Sequence, residues 1–169
     1  MQLIRCTQKL LKELRVKPNE SEPEFGTIGD WHANLLRFEG RKCVLFTNST
    51  TRYSIIIPGL KRPNFDRLDE IFCQSLFKRL RIEGFSQFQI EKILEEYQTL
   101  HYAKTNNRSV LGSMNDLVFQ IEAYIETSGG LSYLDFDVVN DELNRIPMGA
   151  IEYKYSIDAL KHLLDQSVT

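Results

Sequence analysis

The 169-residue sequence has few of the residues that announce chemistry. It contains three cysteines, three histidines, one tryptophan and five prolines. Cys6, Cys43 and Cys73 are far apart and form no Cys-x-x-Cys pair. That spacing excludes a zinc ribbon and a thioredoxin-type redox pair. Isolated thiols in odd number read as reduced, mostly buried side chains and point to the cytoplasm. His32, His101 and His162 show no HxH, HxxxH or HExxH spacing, so no metal is expected. No phosphate-binding loop, dinucleotide fingerprint or G-x-S-x-G elbow occurs, and no cofactor is expected. Asp135, Asp137, Asp141 and Glu142 lack the central glycine of a calcium loop and read as a solvated helix face. The densest apolar run, Ser54-Ile55-Ile56-Ile57, stops at Pro58. It is far short of the ~20 residues that a membrane span needs. Residues 1–6 lack the apolar stretch and cleavage site of a signal peptide.

What is present is ordinary globular material, with 42% hydrophobic and 26% charged residues. The length predicts one domain over 1–169. The formal net charge of −2 hides a split. Residues 1–85 carry 15 basic and 10 acidic side chains, whereas residues 86–169 carry 6 and 13.

The part from 1 to 60 reads as β-rich. Residues 2–6 suggest a short strand, and Thr7 an N-cap for a helix over 8–15 with Leu10, Leu11 and Leu14 inward. Val16 to Phe25 is a polar loop. Residues 31–38, 43–46 and 51–57 read as strands joined by Glu39-Gly40 and Asn48-Ser49-Thr50. Connections this short demand antiparallel neighbours, so a three-stranded meander is expected. The part from 61 to 169 reads as helical. Asn64 is expected to cap a helix with Leu68, Phe72, Leu76 and Leu80 inward. Ser86 and Gln89 form a capping box. A further strand is expected at 100–104. Ser109 to Thr127 is the most periodic segment, ended by Gly129-Gly130. Asp135 and Ser156 are expected to cap two last helices. The fold class is therefore α+β: a small antiparallel β-meander packed with about five or six α-helices.

Five segments carry a resemblance. They are Thr7-Gln8-Lys9-Leu10-Leu11-Lys12, Gly29-Asp30-Trp31-His32-Ala33-Asn34-Leu35-Leu36, Leu45-Phe46-Thr47-Asn48, Arg108-Ser109-Val110-Leu111-Gly112-Ser113-Met114-Asn115-Asp116 and Arg145-Ile146-Pro147-Met148-Gly149. Together they resemble an uncharacterised bacterial single-domain family, a domain of unknown function covering essentially the whole chain. The resemblance implies a soluble bacterial protein and brings no catalytic residue with it.

Two places suggest chemistry. At the start of the long helix, Arg108 and free N–H groups suit an anion. Ser109, Gly112, Ser113, Asp116 and Gln120 then follow on one polar stripe, with Asn115 beside it. Gly112 inside a helix costs about 1 kcal/mol relative to Ala, which a close approach by a ligand or by another backbone explains. The plainer reading is a capped helix with a wet face. Asp30, Trp31 and Asn34, with Asn48 nearby, form the second place. There His32 and Asn34 share one strand face and Trp31 takes the other. The plainer reading makes Trp31 a core anchor. Convergence of these two places on one concave pocket favours a ligand site, whereas a carboxylate of the chain itself filling the Arg108 region disfavours it.

A basic cluster of Lys9, Lys12, Arg15, Arg37, Arg41, Lys42, Arg52, Lys61, Arg62 and Arg67 allows an anionic partner. A pI of about 6.0 argues against nucleic acid. The function expected is a soluble binding or regulatory module for a protein or an anionic ligand. Its alternative is a small-molecule or phosphate-handling enzyme with a site near Trp31 and Arg108–Asp116. The sequence leaves open whether the chain is an enzyme.

Overall fold

The structure, a computed structural model, describes residues 2–20 and 26–167. Part of the expected loop, residues 21–25, lies outside them. The strands are β1 (Gln2–Cys6), β2 (Trp31–Phe38), β3 (Arg41–Asn48), β4 (Ser54–Leu60) and β5 (Leu100–Lys104). They form one sheet in the order β4-β3-β2-β1-β5. β2, β3 and β4 are the expected antiparallel meander. β1 joins it parallel to β2, and β5 joins parallel to β1, so the whole sheet is mixed. The α-helical part of the chain thus returns a strand to the sheet.

The helices are α1 (Gln8–Leu14), α2 (Arg62–Phe65), α3 (Leu68–Ile82), α4 (Gln87–Glu96), α5 (Arg108–Ser128), α6 (Phe136–Leu143) and α7 (Ser156–Ser167). No helix among the described residues is long and apolar enough to cross a membrane. Because strand side chains alternate, the sheet has two apolar faces. Trp31, Phe46 and Ile55 face a core with Leu10, Phe72, Ile93 and Leu160 from α1, α3, α4 and α7. Leu36, Cys43, Leu45 and Ile56 face a second core with Met114, Leu117, Ile121 and Val139 from α5 and α6.

Local signals mostly do what their chemistry suggests. Ser86 and Gln89 make the reciprocal capping box. The Asn107 side chain accepts from the N–H groups of Ser109 and Val110 at the start of α5. Asp135 caps α6. Four expectations are corrected. Thr7 precedes α1, but its hydroxyl donates across to Asn34 rather than capping. Asn64 does not cap the long helix; its side chain accepts from the Lys61 N–H inside the one-turn α2. The Ser156 hydroxyl donates to Asn144. The third strand begins at Ser54 rather than at Thr51, because residues 49–53 make a longer turn.

β4 is an edge strand, and an unpaired edge is both an energetic cost and a template for aggregation. Two asparagines of α6 and its C-terminal end close it. Asn144 accepts from the Ser54 N–H at 2.7 Å and donates to the Ser54 carbonyl at 2.8 Å. Asn140, one turn earlier, does the same for Ile56 at 2.8 and 3.2 Å. Their i, i+4 helical spacing matches the i, i+2 spacing of outward-facing strand residues. All these groups are buried. Asn144→Ala strands a buried N–H and a buried carbonyl, so it is expected to cost about 2–4 kcal/mol. Chemical denaturation checks this through a lower midpoint at unchanged m-value. A midpoint equal to that of the native protein contradicts the clamp.

Candidate functional site

The Asn48 side chain builds the turn after β3. Its carbonyl oxygen accepts from the Thr50 and Thr51 N–H groups and from the Thr51 hydroxyl, while its amide donates to the Ile28 carbonyl. The turn reaches Arg52 with φ +65°, a left-handed conformation that non-glycine residues seldom adopt. This geometry sends the Arg52 side chain toward α5. Its Nη2 donates to Ser109 Oγ at 3.0 Å and its Nε to Ser113 Oγ at 3.1 Å. Its Nη1 donates to the Ser49 carbonyl. Arg52 is only 6% exposed and makes no ion pair among the described residues. Burial lowers its pKa from the ordinary value, but a guanidinium stays charged at neutral pH. Arg52 therefore stands apart from the solvated cations of the basic cluster.

The polar stripe of α5 faces a cleft of about 560 Å³. Ser109, Gly112, Ser113, Asp116 and Gln120 line one wall, and residues 146–150 line the other. Two of the segments that carried the resemblance thus face each other. A Cβ added at Gly112 meets no other atom within 4 Å. Among the described residues nothing outside this stretch of helix comes within contact of that position, so close packing does not account for the glycine.

The other expected residues are placed elsewhere. The Arg108 side chain is exposed and makes no hydrogen bond or ion pair among the described residues, so none of their carboxylates fills its region. Asn115 is exposed and outside the cleft lining. Trp31 is fully buried on the sheet face opposite α5, where its Nε1 donates to the Tyr97 hydroxyl at 2.8 Å and its edge meets Phe72. Asn34 accepts from Thr7. Asp30 pairs with Arg5. Trp31, Asn34, Asp30 and Asn48 therefore do not line the cleft, and Asn48 acts on it only through the turn that aims Arg52.

A family model described as a domain of unknown function (DUF6933) matches residues 3–159. The chain belongs to this family. The matched residues include both walls of the cleft. No curated protein and no solved structure matches the chain.

Beside Arg52 lies His32, on the strand face it shares with Asn34. It is 1% exposed, and its Nδ1 is 2.8 Å from Ser49 Oγ. Its Nε2 has no partner among the described residues. Burial is the main cause that pulls its pKa down to about 4, aided by Arg5 and Arg52 and opposed by Asp30 and Asn106. His32 is therefore neutral at pH 7. Other clefts exist. One of about 690 Å³ is lined by Arg41, Lys42, Lys61 and Arg62 at the far end of the meander. Its Lys42 pairs with Glu13, and Arg62 pairs with Asp66.

Two expectations follow. His32 has a folded pKa below the ~6.5 of an unfolded chain, so the unfolded state binds the extra proton first. Its contribution to stability is constant above pH 6.5 and falls as pH drops from 6.5 toward 4, by at most about 1.4 kcal/mol per pH unit. A pH series of denaturation curves shows this slope, and His32→Asn flattens it; equal slopes contradict the assignment. Gly112→Ala gains helix propensity with nothing to clash with, so it is expected to stabilise the protein by about 0.5–1 kcal/mol. Thermal melting reads this directly, and a fall in Tm contradicts the open site.

Proposed function

We propose that the chain is a binding module whose ligand occupies the cleft between α5 and residues 146–150. Gly112 carries this reading. A mid-helix glycine costs about 1 kcal/mol, and here no neighbouring protein atom needs the space it leaves. The open surface over the helix backbone suits a ligand that lies close against it. The surrounding groups fit that role, since serine hydroxyls, a carboxylate and an amide line a concave, partly apolar wall. The ligand is small, with an anionic group among its features. The setting is cytoplasmic, a reading supported by three free thiols. A single-domain arrangement is supported by one sheet that takes strands from both the β-rich and the helical part of the chain.

The enzyme alternative draws on one pair. A serine hydroxyl bonded to a neutral imidazole is the arrangement used to activate nucleophiles, and Ser49 and His32 make it. Neither residue lines the cleft, however. A nucleic-acid partner is weaker still, because Lys42 and Arg62 of the basic groove are held by acids of the same chain.

The test is ligand-detected NMR with a fragment library of small acids, phosphates, amines and neutral polar compounds. Gly112→Leu fills the cleft floor while the fold persists. Hits on the native protein are expected to disappear with this variant. A library without hits, or hits that all persist in Gly112→Leu, overturns the proposal.

A further inference from the structure

We infer that the cleft recognises a small zwitterion, with a carboxylate or phosphate group on Ser109 and Ser113 and an ammonium group toward Asp116. The inference rests on the cleft being the ligand site.

Buried charges in proteins are paired, because an uncompensated charge away from water is expensive. Arg52 and Arg79 are both buried, and they differ in this respect. Arg79 is 2% exposed and meets Asp141 at 2.6 Å and Glu83 at 2.8 Å. Arg52 meets only neutral oxygens, those of Ser49, Ser109 and Ser113. The positive charge behind the first turns of α5 therefore lacks a counter-charge among the described residues.

The two serines transmit that charge to the cleft. Each hydroxyl oxygen accepts from the guanidinium, so its own proton must point elsewhere. Among the described residues neither hydroxyl donates to any acceptor. Ser113 is 6% exposed and lines the cleft, so water does not fully serve it. A hydroxyl that accepts a charge-assisted hydrogen bond is itself a stronger donor. Ser109 and Ser113 stand one turn apart on one face. The cleft thus offers an oxyanion two strengthened donors backed by an unneutralised cation. The nearby start of α5 adds a partial positive charge of the same sign.

The opposite end of the lining has opposite chemistry. Asp116 follows Ser113 by three residues and Ser109 by seven, so its carboxylate sits roughly 5–10 Å along the helix axis. It makes no ion pair among the described residues, and Gln120 lies one turn beyond. A plain anion gains at the serines and is repelled at Asp116. A ligand with an ammonium group a few bonds from its oxyanion gains at both ends. Amino acids and aminoalkyl phosphates have this form.

Amide chemical shifts of the full chain, followed during titration, test the inference. The probes are acetate, inorganic phosphate, ethylammonium, a set of α- and ω-amino acids, and phosphoethanolamine. At least one zwitterion is expected to shift the amides of residues 109–117 saturably and to bind at least tenfold tighter than acetate, phosphate or ethylammonium. Comparison of amino acids with phosphoethanolamine shows whether the oxyanion is carboxylate or phosphate. Arg52→Gln and Ser113→Ala are each expected to weaken that binding at least tenfold, and Asp116→Asn to erase the preference over the plain anion. Where Arg52→Gln fails to fold, Ser113→Ala, which leaves the guanidinium in place, decides alone. Equal affinity for zwitterion and plain anion overturns the inference, as does unchanged binding in Ser113→Ala. A probe displaced by Gly112→Leu but indifferent to Ser113→Ala overturns it while the cleft stands. Probes indifferent to Gly112→Leu overturn both readings.

Discussion

The molecule is organised around the closure of one sheet edge. β4 ends the sheet, and its outward N–H and carbonyl groups need partners other than water because helices cover both faces. Asn140 and Asn144 supply them from α6 and the residue that ends it. This fixes α6 in register with the strand as a sixth strand would, with side-chain amides in place of a backbone. The consequence reaches beyond the edge. Asn144 also accepts from the Ser156 hydroxyl, and its own carbonyl accepts the N–H of Ile157 at the start of α7. Residues 145–155 are therefore anchored at both ends to one asparagine. The loop between those anchors supplies the second wall of the cleft. The site's shape thus depends on an edge clamp that touches no ligand.

The same edge explains how the chain tolerates buried charge. Arg79 lies beside β4 and donates to Tyr53, Glu83 and Asp141, while Arg145 donates to Glu83 from the other side. Burial alone lowers the pKa of Arg79, but Tyr53 and Asp141 more than offset this and hold it above its ordinary value. α3 and α6 are joined by a network whose members compensate each other, which is the condition under which buried ions are tolerated. Arg52 meets a different standard. Each of its three nitrogens has a hydrogen-bond partner, but none of those partners carries a charge. The difference separates an arginine that holds two helices together from one whose field is left to act on the surface above it.

The parts of the fold that depend on neighbours in sequence were legible from the residues. The meander follows from strand pattern and two short turns, and the caps at Ser86 and Asp135 follow from side-chain chemistry. The parallel pairings of β1 with β2 and β5 were not legible, because they join residues far apart in the chain and leave no local mark. Within the site, the stripe from Ser109 to Gln120 could be read from helical period. Its opposite wall could not, since residues 146–150 reach it through the Asn144 clamp. In the sequence Arg52 is one more cation of the basic cluster, because no pattern in Asn48-Ser49-Thr50-Thr51-Arg52 signals a left-handed residue at its end. Trp31 drew attention for its chemistry, yet strand alternation already placed it on the face away from His32. A large aromatic beside a histidine in sequence is, in a strand, on the opposite side of the sheet from it.

The charge split between the two parts of the chain takes its meaning from these contacts. Lys78 and Arg79 from the basic part meet Asp137 and Asp141 from the acidic part. The surplus charges of the two parts are thereby drawn together at the β4 edge, where α3 and α6 flank the strand. Neutralisation there is local, not global. It leaves the cations of the far meander end, Arg41 and Lys61, without ion pairs among the described residues, and it leaves Arg52 likewise unpaired. The first two are exposed and surrounded by water, which screens them cheaply. Arg52 is not, and water cannot do for it what a carboxylate does for Arg79. A charge compensated by neither an acid of the described chain nor bulk solvent thus lies directly behind the wall that bears the unexplained glycine. Two independent departures from ordinary helix and core chemistry fall on the same few residues of α5.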